Sequence, residues 1–269
     1  MRIRVLMDNH TEIDVYYLGE PAVSYWIEIE EKRFLLDCGY SDAFLKNAQA
    51  MGIHITDLDT IILSHGHNDH TGGLSLLLEE NFKNKPTLLA HPDALLPKQM
   101  EHLDIGMPCE AQSLAQKCHL HLTKEPYWLT QKLVFLGEIP RQVPFEPPMS
   151  IGTTCQNGQK QPDFLEDDTA LAYVGKEGLY IITGCSHAGI CNIIQYAKQL
   201  TGCKKVCGLL GGLHLFDLDE RSQKTIDFLA KEQIETLYPC HCTSFAVRAA
   251  LHAKTPVQEV GVGLCLDWA

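Results

Sequence analysis

The feature that most constrains this chain is a group of metal-ligand side chains directly after an apolar strand. The stretch DTIILSHGHNDHTGGL (59–74) predicts a buried strand at 60–63, a short loop, and a helix that opens at 71–73. Within six residues the loop places four candidate ligands, His65, His67, Asp69 and His70. The strand end lets His65 and His67 point at one centre, and the next turn points Asp69 and His70 at a neighbouring centre. Imidazole and carboxylate donors suit zinc, with manganese or iron as alternatives.

Charge and size narrow the classes of partner. The chain has 269 residues, with 22 Lys and Arg against 34 Asp and Glu, which gives a formal net charge of −12. Proteins that bind nucleic acid usually present a positively charged surface, so this acidic chain is a poor candidate for nucleic-acid binding. It is also a poor candidate for binding to an anionic membrane surface. With 45% hydrophobic residues the chain can bury a large core. We expect one domain over residues 1–269 and a small-molecule substrate, with the oligomeric state left open.

Cysteine usage and the opening residues indicate a compartment. There are 11 cysteines, an odd number without the regular spacing of a disulfide framework. The first residues lead directly into a strand-like run without the apolar stretch of a signal peptide. The apolar runs are all shorter than a bilayer span. We therefore expect a reduced, cytoplasmic protein with no membrane segment.

Hydrophobic patterning predicts a mixed α/β chain in two similar halves. Strands are expected at 2–6, 24–30, 33–37, 60–63, 87–90, 132–136, 169–174, 179–183, 206–210, 235–238 and 260–266. Helices are expected from an N-cap at Ser41 to about 51, and at 74–81, 111–118, 190–200, 220–232 and 247–253. The stretch 92–148 has the weakest pattern and is interpreted as an insertion or a lid over the site.

Three motifs in the second half place further candidate ligands after apolar strands. They are Gly184-Cys185-Ser186-His187, Leu210-Gly211-Gly212-Leu213-His214, and Tyr238-Pro239-Cys240-His241-Cys242. His214 is assigned to substrate contact or proton transfer, with metal binding and a structural role as alternatives. We interpret Cys240 and Cys242 as buried thiols or as groups that support the ligands. The acidic run 166–168 either supplies a carboxylate ligand or forms a solvated turn.

These motifs together resemble the metallo-β-lactamase superfamily of metal-dependent hydrolases. The resemblance implies a four-layer αββα sandwich in which ligands from both halves meet along one sheet edge. The phrases LSHGHNDHTGGL, LAHPDAL, FLEDDTAL, ITGCSHAGICNI, LGGLHL and YPCHCT are similar to a narrower group within it. That group is the family named after a dihydropterin ribofuranosyl-aminobenzene phosphate synthase.

The resemblance also implies roles for individual residues. His241 matches the last histidine motif, which completes the second metal site. Cys185 stands where many members have an aspartate that bridges two metals, and His187 would be a ligand of the first metal. The alternatives are a small buried hydrophobe for Cys185, and for His187 a helix-cap residue or a group that supports the ligands. Asp37 matches an aspartate that orients the metal loop by hydrogen bonding, or else forms a turn before Gly39.

The expected activity is hydrolysis by a metal-bound hydroxide acting on an ester, lactone or phosphoester-type small molecule. Site one would use His65, His67 and His187, and site two Asp69, His70 and His241, with Cys185 near or between them. Asp69 would also guide a proton to the leaving group. Two alternatives stay open: an iron-dependent redox enzyme, such as a thiol dioxygenase, and a non-enzymatic sensor or binding protein stabilised by metal.

Overall fold

The computed structural model describes residues 1–156 and 158–269. These residues divide into two compact units, and each unit contains its own main sheet and its own apolar core. Unit 1 comprises Met1–Lys124, Ser150–Asp167 and Gly261–Trp268, and unit 2 comprises Glu125–Met149, Asp168–Val260 and Ala269. The expectation of one domain over residues 1–269 stays a prediction.

The main sheet of unit 1, the N-terminal sheet, combines antiparallel and parallel strand pairs. Its strands, in spatial order, are β17 (Cys265–Asp267), β1 (Arg2–Met7), β2 (Ser24–Ile29), β3 (Lys32–Leu36), β4 (Thr60–Ile62), β5 (Thr87–Ala90) and β8 (His119–Leu122). The strands β3, β4, β5 and β8 pair in parallel, so their C-terminal ends lie at one edge of the sheet. Residues 64–70, the first ligand loop, follow β4 at this edge.

The rest of unit 1 consists of a small sheet and short helices. The small sheet contains β12 (Gln159–Pro162), β11 (Thr153–Gln156), β6 (Lys98–Met100) and β7 (Leu103–Asp104). The helices are α1 (Ala43–Ala50), α2 (Asn68–Thr71), α3 (Leu74–Leu77) and α4 (Ala111–Lys117), with 3₁₀ turns at Ile55–Asp57 and Pro92–Leu95. Apolar residues of the main sheet pack against α1, α3 and α4 in one core.

Unit 2 is built on the C-terminal sheet. Its strands, in spatial order, are β16 (Thr236–Cys240), β15 (Val206–Gly212), β14 (Leu179–Thr183), β13 (Ala170–Val174), β10 (Leu133–Phe135) and β9 (Tyr127–Trp128). Its helices are α5 (Ile190–Thr201), α6 (Glu220–Glu232) and α7 (Phe245–His252). The strands β14, β15 and β16 are parallel, so the loops that follow them leave the sheet at the same edge.

The helix α5 shows how sequence pattern and packing agree in unit 2. Its apolar residues recur at helical spacing, and Ile190, Ile193 and Ile194 are buried in the core of the unit. The helix ends at Gly202, whose φ of 74° is the left-handed conformation that glycine adopts without steric cost.

Most predicted elements are confirmed, and the bounds of several differ from those expected. The helix expected at 74–81 ends at Leu77, because Glu79 and Glu80 donate to carbonyls only three residues earlier, which tightens the chain into turns. The helix expected to have its N-cap at Ser41 begins at Ala43, after Asp42. The Ser41 hydroxyl accepts the Ala43 amide at 3.1 Å and donates to Glu20 at 2.6 Å. The strand expected at 260–266 is restricted to β17, because Gly263 has a φ of 102°.

The stretch 92–148, expected to be irregular, contributes strands to both main sheets. Its β8 pairs with β5 in unit 1, and its β10 pairs with β13 in unit 2. Its role as an insertion or lid stays a prediction. Among the described residues, no helix combines the length and apolar character needed to cross a lipid bilayer.

Candidate metal centre

The first ligand loop brings three of the predicted metal ligands together. His65, His67 and Asp69 offer two imidazole nitrogens and one carboxylate oxygen that all lie within 4.8 Å of one another. Both histidines are buried, and their ring centroids are 4.7 Å apart. Two nitrogen donors and one hard oxygen donor fit zinc, manganese or ferrous iron. These residues of unit 1 therefore fit a divalent ion.

The fourth predicted ligand of the loop, His70, is oriented by a buried carboxylate. Its ring centroid is 4.2 Å from that of His65, and its Nε2 lies 3.5 Å from Asp69 Oδ2. Its Nδ1 lies 2.7 Å from Asp37 Oδ2. A hydrogen bond from Nδ1–H to a carboxylate fixes the tautomer that presents Nε2 as a metal donor.

Asp37 also anchors the start of the loop. The residue follows β3, where its Oδ1 accepts the Ser64 amide at 2.8 Å and its Oδ2 accepts the Ser64 hydroxyl at 2.6 Å. Its φ of 61° is uncommon for a residue other than glycine, and such strained positions concentrate at functional sites. The expected hydrogen bonding of Asp37 to the loop is confirmed.

A second buried carboxylate, Asp167, supports the first ligand loop between its first two histidines, and the sequence did not predict this role. Asp167 Oδ2 accepts the Gly66 amide at 2.8 Å, and Asp167 Oδ1 lies 2.9 Å from Lys98 Nζ. Lys98 Nζ also donates to Asp163 at 2.8 Å. Any side chain at Gly66 would overlap the Ala94 carbonyl, so glycine is needed for this close approach. Lys98 and Asp167 are buried, and the prediction of a solvated acidic turn is therefore wrong for Asp167.

The electrostatics of the loop favour its metal-binding state. Burial lowers the pKa of His67 to about 4, against the smaller opposing effects of Asp69 and Asp167. The imidazole is therefore neutral at pH 7, which is the form that coordinates a metal. Burial alone would raise the pKa of Asp167, but the Lys98 ammonium and its hydrogen bond lower it. The Asp167 side chain is therefore an ionised carboxylate at neutral pH.

In unit 2, the predicted ligands lie in the loops after three adjacent parallel strands. Cys185 and His187 follow β14, His214 follows β15, and His241 follows β16. Ser186, His214 and His241 have φ values of 61°, 49° and 51°, so each of the three loops contains a residue in the left-handed region. Strained backbone positions of this kind concentrate at functional sites, so this sheet edge is a candidate for one.

Cys185, His214 and Cys242 form a second group of donors, entirely within unit 2. One ligand atom from each lies within 4.8 Å of the others. The His187 ring centroid is 4.2 Å from that of His214. The interpretation of Cys240 as a buried thiol is confirmed, but Cys242 is partly exposed and belongs to the donor group. The only feature of the sequence that pointed to Cys242 as a donor was its position directly after His241 in a Cys-His-Cys run.

Hydrogen bonding makes Cys242 an unusual thiol. Burial alone would raise the pKa of its side chain. Hydrogen bonds with Cys185 and His214, together with the nearby His241 ring, hold the pKa of Cys242 well below its ordinary value. The thiolate is the form of cysteine that binds metals.

Asp168 is bonded to the loop that contains Cys185 and His187. Its Oδ2 accepts the Ala188 amide at 2.9 Å, and the residue is buried. The prediction of a solvated turn is therefore wrong for Asp168 as well. The neighbouring aspartates 167 and 168 each support a ligand loop of their own unit.

Within unit 1 the structure brings His65, His67 and Asp69 together, and within unit 2 it brings Cys185 together with His214 and Cys242. The predicted combination of His65 and His67 with His187, and that of Asp69 and His70 with His241, join residues of different units and stay predictions. His91 is buried, and its Nδ1 accepts the Asp93 amide at 3.1 Å, so it acts as a cap for the 3₁₀ turn that follows it.

A cavity of about 810 Å³ in unit 1 borders the first ligand loop. The loop contributes Asn68, and Gly72 follows on the next turn. The remaining wall is mixed, with apolar residues such as Pro97 and Met107 beside the carboxyl groups of Asp104 and Glu110. Its volume is typical of pockets for small molecules.

Comparison of the sequence with known proteins identifies related chains. The profile of the metallo-beta-lactamase superfamily matches residues 18–198. An uncharacterized protein of Methanocaldococcus jannaschii is 33% identical over 244 residues, covering 90% of this chain and 91% of that protein. A second protein of the same organism is 32% identical over 260 residues, covering 91% and 88%. It is named 7,8-dihydropterin-6-methyl-4-(beta-D-ribofuranosyl)-aminobenzene-5'-phosphate synthase.

A similar fold is found in a solved structure. The crystal structure of Tm1679, described as a metal-dependent hydrolase of the beta-lactamase superfamily, superposes with a TM-score of 0.84. It is 27% identical in sequence, and the match covers 99% of this chain and 98% of that one.

Proposed function

The chain belongs to the metallo-beta-lactamase superfamily and has its mixed α/β fold, and we propose that it is a metal-dependent hydrolase. Its substrate in this proposal is a small molecule with an ester, lactone or phosphoester bond. The observation that supports it most is the convergence of donor atoms from His65, His67 and Asp69 in a buried loop. The description of Tm1679, at 27% identity, is consistent with this class of reaction.

In the proposal, the ligand loops of both units supply metal donors. His65, His67 and His187 are assigned to one ion, and Asp69, His70 and His241 to a second, with Cys185 near or between them. Zinc is the proposed ion because its usual ligands are imidazole, thiolate and carboxylate. A bound divalent ion supplies Lewis acidity and a nucleophile at neutral pH.

Asp37, Asp69 and His214 have separate tasks in this mechanism. Asp37 keeps His70 in one tautomer, so that the same nitrogen always faces the site. Asp69 is more exposed than the histidines, with 29% of its side-chain surface accessible, and it passes a proton to the leaving group. His214 contacts the substrate and takes part in proton transfer.

The bond class is proposed without a named substrate because the relatives differ in what their names state. The 32% identical relative is named a synthase, whereas Tm1679 is described as a hydrolase. The cavity beside the first ligand loop has a volume that suits a small molecule.

The test is hydrolysis of a panel of p-nitrophenyl esters, lactones and phosphodiesters by protein stripped of metal and then reloaded. We expect no turnover after stripping and recovery on addition of Zn²⁺. His67→Ala is expected to remove metal and turnover together. His119→Ala, which changes an exposed histidine of β8, is the matched control and is expected to keep both.

Two outcomes would contradict the proposal. Turnover that continues in fully stripped protein would exclude metal-dependent hydrolysis. A coloured protein that contains iron, consumes oxygen with a thiol substrate and hydrolyses no member of the panel would assign the chain to redox chemistry instead.

A further inference from the structure

We infer that Cys185, His214 and Cys242 form a thiolate-rich site for a thiophilic divalent ion such as Zn²⁺ or Cd²⁺. The inference rests on the proposed function only in treating Cys185 as a metal-binding thiol. It adds two donors, Cys242 and His214, that the proposed ligand set does not use for metal. Because a coordinated His214 cannot also transfer protons, occupation of this site competes with its catalytic role.

The first support is the type and spacing of the donors. Two sulfurs and one imidazole nitrogen are a donor set that zinc and other thiophilic ions prefer. With Zn–S bonds of about 2.3 Å, two thiolates on a tetrahedral ion lie about 3.8 Å apart. The donor atoms lie within 4.8 Å of one another, so side-chain adjustments of about 1 Å are enough to close the site.

The second support is the backbone that holds the loops after β15 and β16 together. The Leu213 amide donates to Thr243 Oγ1 at 2.9 Å, and the Leu215 amide donates to the Cys242 carbonyl at 3.2 Å. The Ser244 amide returns a bond to the Leu215 carbonyl at 2.9 Å. These bonds fix the Cys242 backbone relative to His214, so ion binding requires little reorganisation of the chain.

The third support is the close surroundings of the Cys242 sulfur. The His214 amide donates to Cys242 Sγ at 3.3 Å. A Cβ atom at Gly212 would lie 2.5 Å from the same sulfur, so only glycine leaves the space that Cys242 Sγ occupies. The end of β15 therefore leaves space for the Cys242 thiol.

The fourth support is a buried polar atom of His214. Its Nδ1 is inaccessible to solvent and has no hydrogen-bond partner among the described residues. Buried polar groups of this kind are normally satisfied, and an unsatisfied one in a native protein needs an explanation such as an ion. Coordination of an ion by the His214 ring would provide it.

The test uses the thiolate-to-Cd²⁺ charge-transfer absorption of the full chain as the probe. The native protein is expected to show this band on titration with Cd²⁺. Cys242→Ser and Cys185→Ser should each lose about half of it, and the double variant should lose all of it. The control is Cys240→Ala, which removes a buried thiol of the same strand end that belongs to no donor group of the described residues and should keep the full band.

A measurement on the unmodified protein covers the case in which a variant does not fold. Cd²⁺ should slow alkylation of Cys242 by iodoacetamide, followed by mass spectrometry. It should leave the rate at Cys265, an exposed cysteine, unchanged.

The outcomes separate this inference from the proposed function. A band that Cys242→Ser leaves at full intensity, or alkylation of Cys242 that Cd²⁺ does not slow, would overturn the inference and leave the hydrolase proposal standing. No band in the native protein would overturn both this inference and the assignment of Cys185. Failure of the hydrolysis panel alone would leave the thiolate site intact.

Discussion

Two buried carboxylates hold the first ligand loop at different points. Asp37 binds Ser64 and His70, at the two ends of the loop, and Asp167 binds the Gly66 amide between the first two histidines. Because both carboxylates accept backbone or ring N–H groups, they set the positions of the donors without replacing them. Such supporting contacts contribute strongly to metal affinity.

Asp37→Asn is expected to weaken metal binding while the protein stays folded. The amide keeps the size of the side chain but removes the negative charge that orients His70, so affinity for Zn²⁺ should fall by about 10- to 100-fold. Competition with a chromophoric chelator measures this change. Asp59→Asn, which changes an exposed carboxylate that accepts the Arg33 amide, is the control. Equal affinity in the native protein and Asp37→Asn would exclude the orienting role.

Lys98→Met is expected to destabilise the fold strongly. The substitution leaves the carboxylates of Asp163 and Asp167 buried without their cation, a change that typically costs about 3–5 kcal/mol. Urea denaturation gives the free energy of unfolding. Lys46→Met removes an exposed ion pair with Asp42 and should cost less than about 1 kcal/mol. If the two variants lose similar stability, the buried network does not have the importance assigned to it.

Ligands that are close in sequence were predictable, whereas contacts between distant residues were not. The candidate ligands of the His-x-His-x-Asp-His run lie within six consecutive residues, so metal binding can be predicted from this segment alone. Lys98 is separated from its partners by 65 and 69 positions, and nothing in the pattern connects them. Asp167 and Asp168 resembled a solvated turn because burial depends on the whole fold.

At the scale of elements, the start of α5 depends on a buried glutamate. Both carboxylate oxygens of Glu146 accept backbone amides, from Cys191 at 3.2 Å and from Asn192 at 3.0 Å. Gly189 has a φ of 93°, and any side chain there would overlap the Glu146 carboxylate. The glutamate therefore caps a helix whose own N-cap residue has no side chain to do so.

Glu146→Gln is expected to change how stability depends on pH. Burial raises the pKa of Glu146 above its ordinary value of 4.5, although the two amides partly oppose this. Because the folded-state pKa of Glu146 is raised, its protonated form stabilises the fold. This stabilisation is complete below pH 4.5 and is lost as the pH rises through the folded-state pKa. The difference in unfolding free energy between native protein and variant should therefore shrink as the pH rises from about 4.5 to neutrality.

Urea denaturation of both proteins at a series of pH values measures this difference. The exposed Glu220 at the start of α6 provides a matched control, because Glu220→Gln changes a surface carboxylate and should not give the same trend. A difference for Glu146→Gln that stays flat or grows with pH would contradict the assignment.

Elements with strong periodicity were predictable, and short ones were less so. The bounds of α6 agree with the sequence pattern because a capping aspartate, Asp219, precedes a regular amphipathic run. The helix after the first ligand loop is shorter than its apolar pattern suggests, since tertiary packing favours tight turns after Leu77. Periodicity indicates which face is buried but not where the hydrogen-bond pattern changes.

At the scale of the whole molecule, sequence similarity and fold agree on a superfamily, and each unit has candidate ligands in its own loops. The fold class follows from repeated strand-to-loop-to-helix patterns, which the sequence displays in both halves. The substrate does not follow from them, because most of the cavity wall is formed by residues of the weakly patterned stretch after residue 92.

Elemental analysis of protein purified without added metal, and of His67→Ala and His241→Ala, measures whether the ligand loops bind metal. We expect one or two divalent ions per native chain, and loss of bound metal in each variant although the two variants change different units. A native chain that takes up none of Zn²⁺, Mn²⁺ or Fe²⁺, or variants that both keep the native metal content, would contradict this expectation.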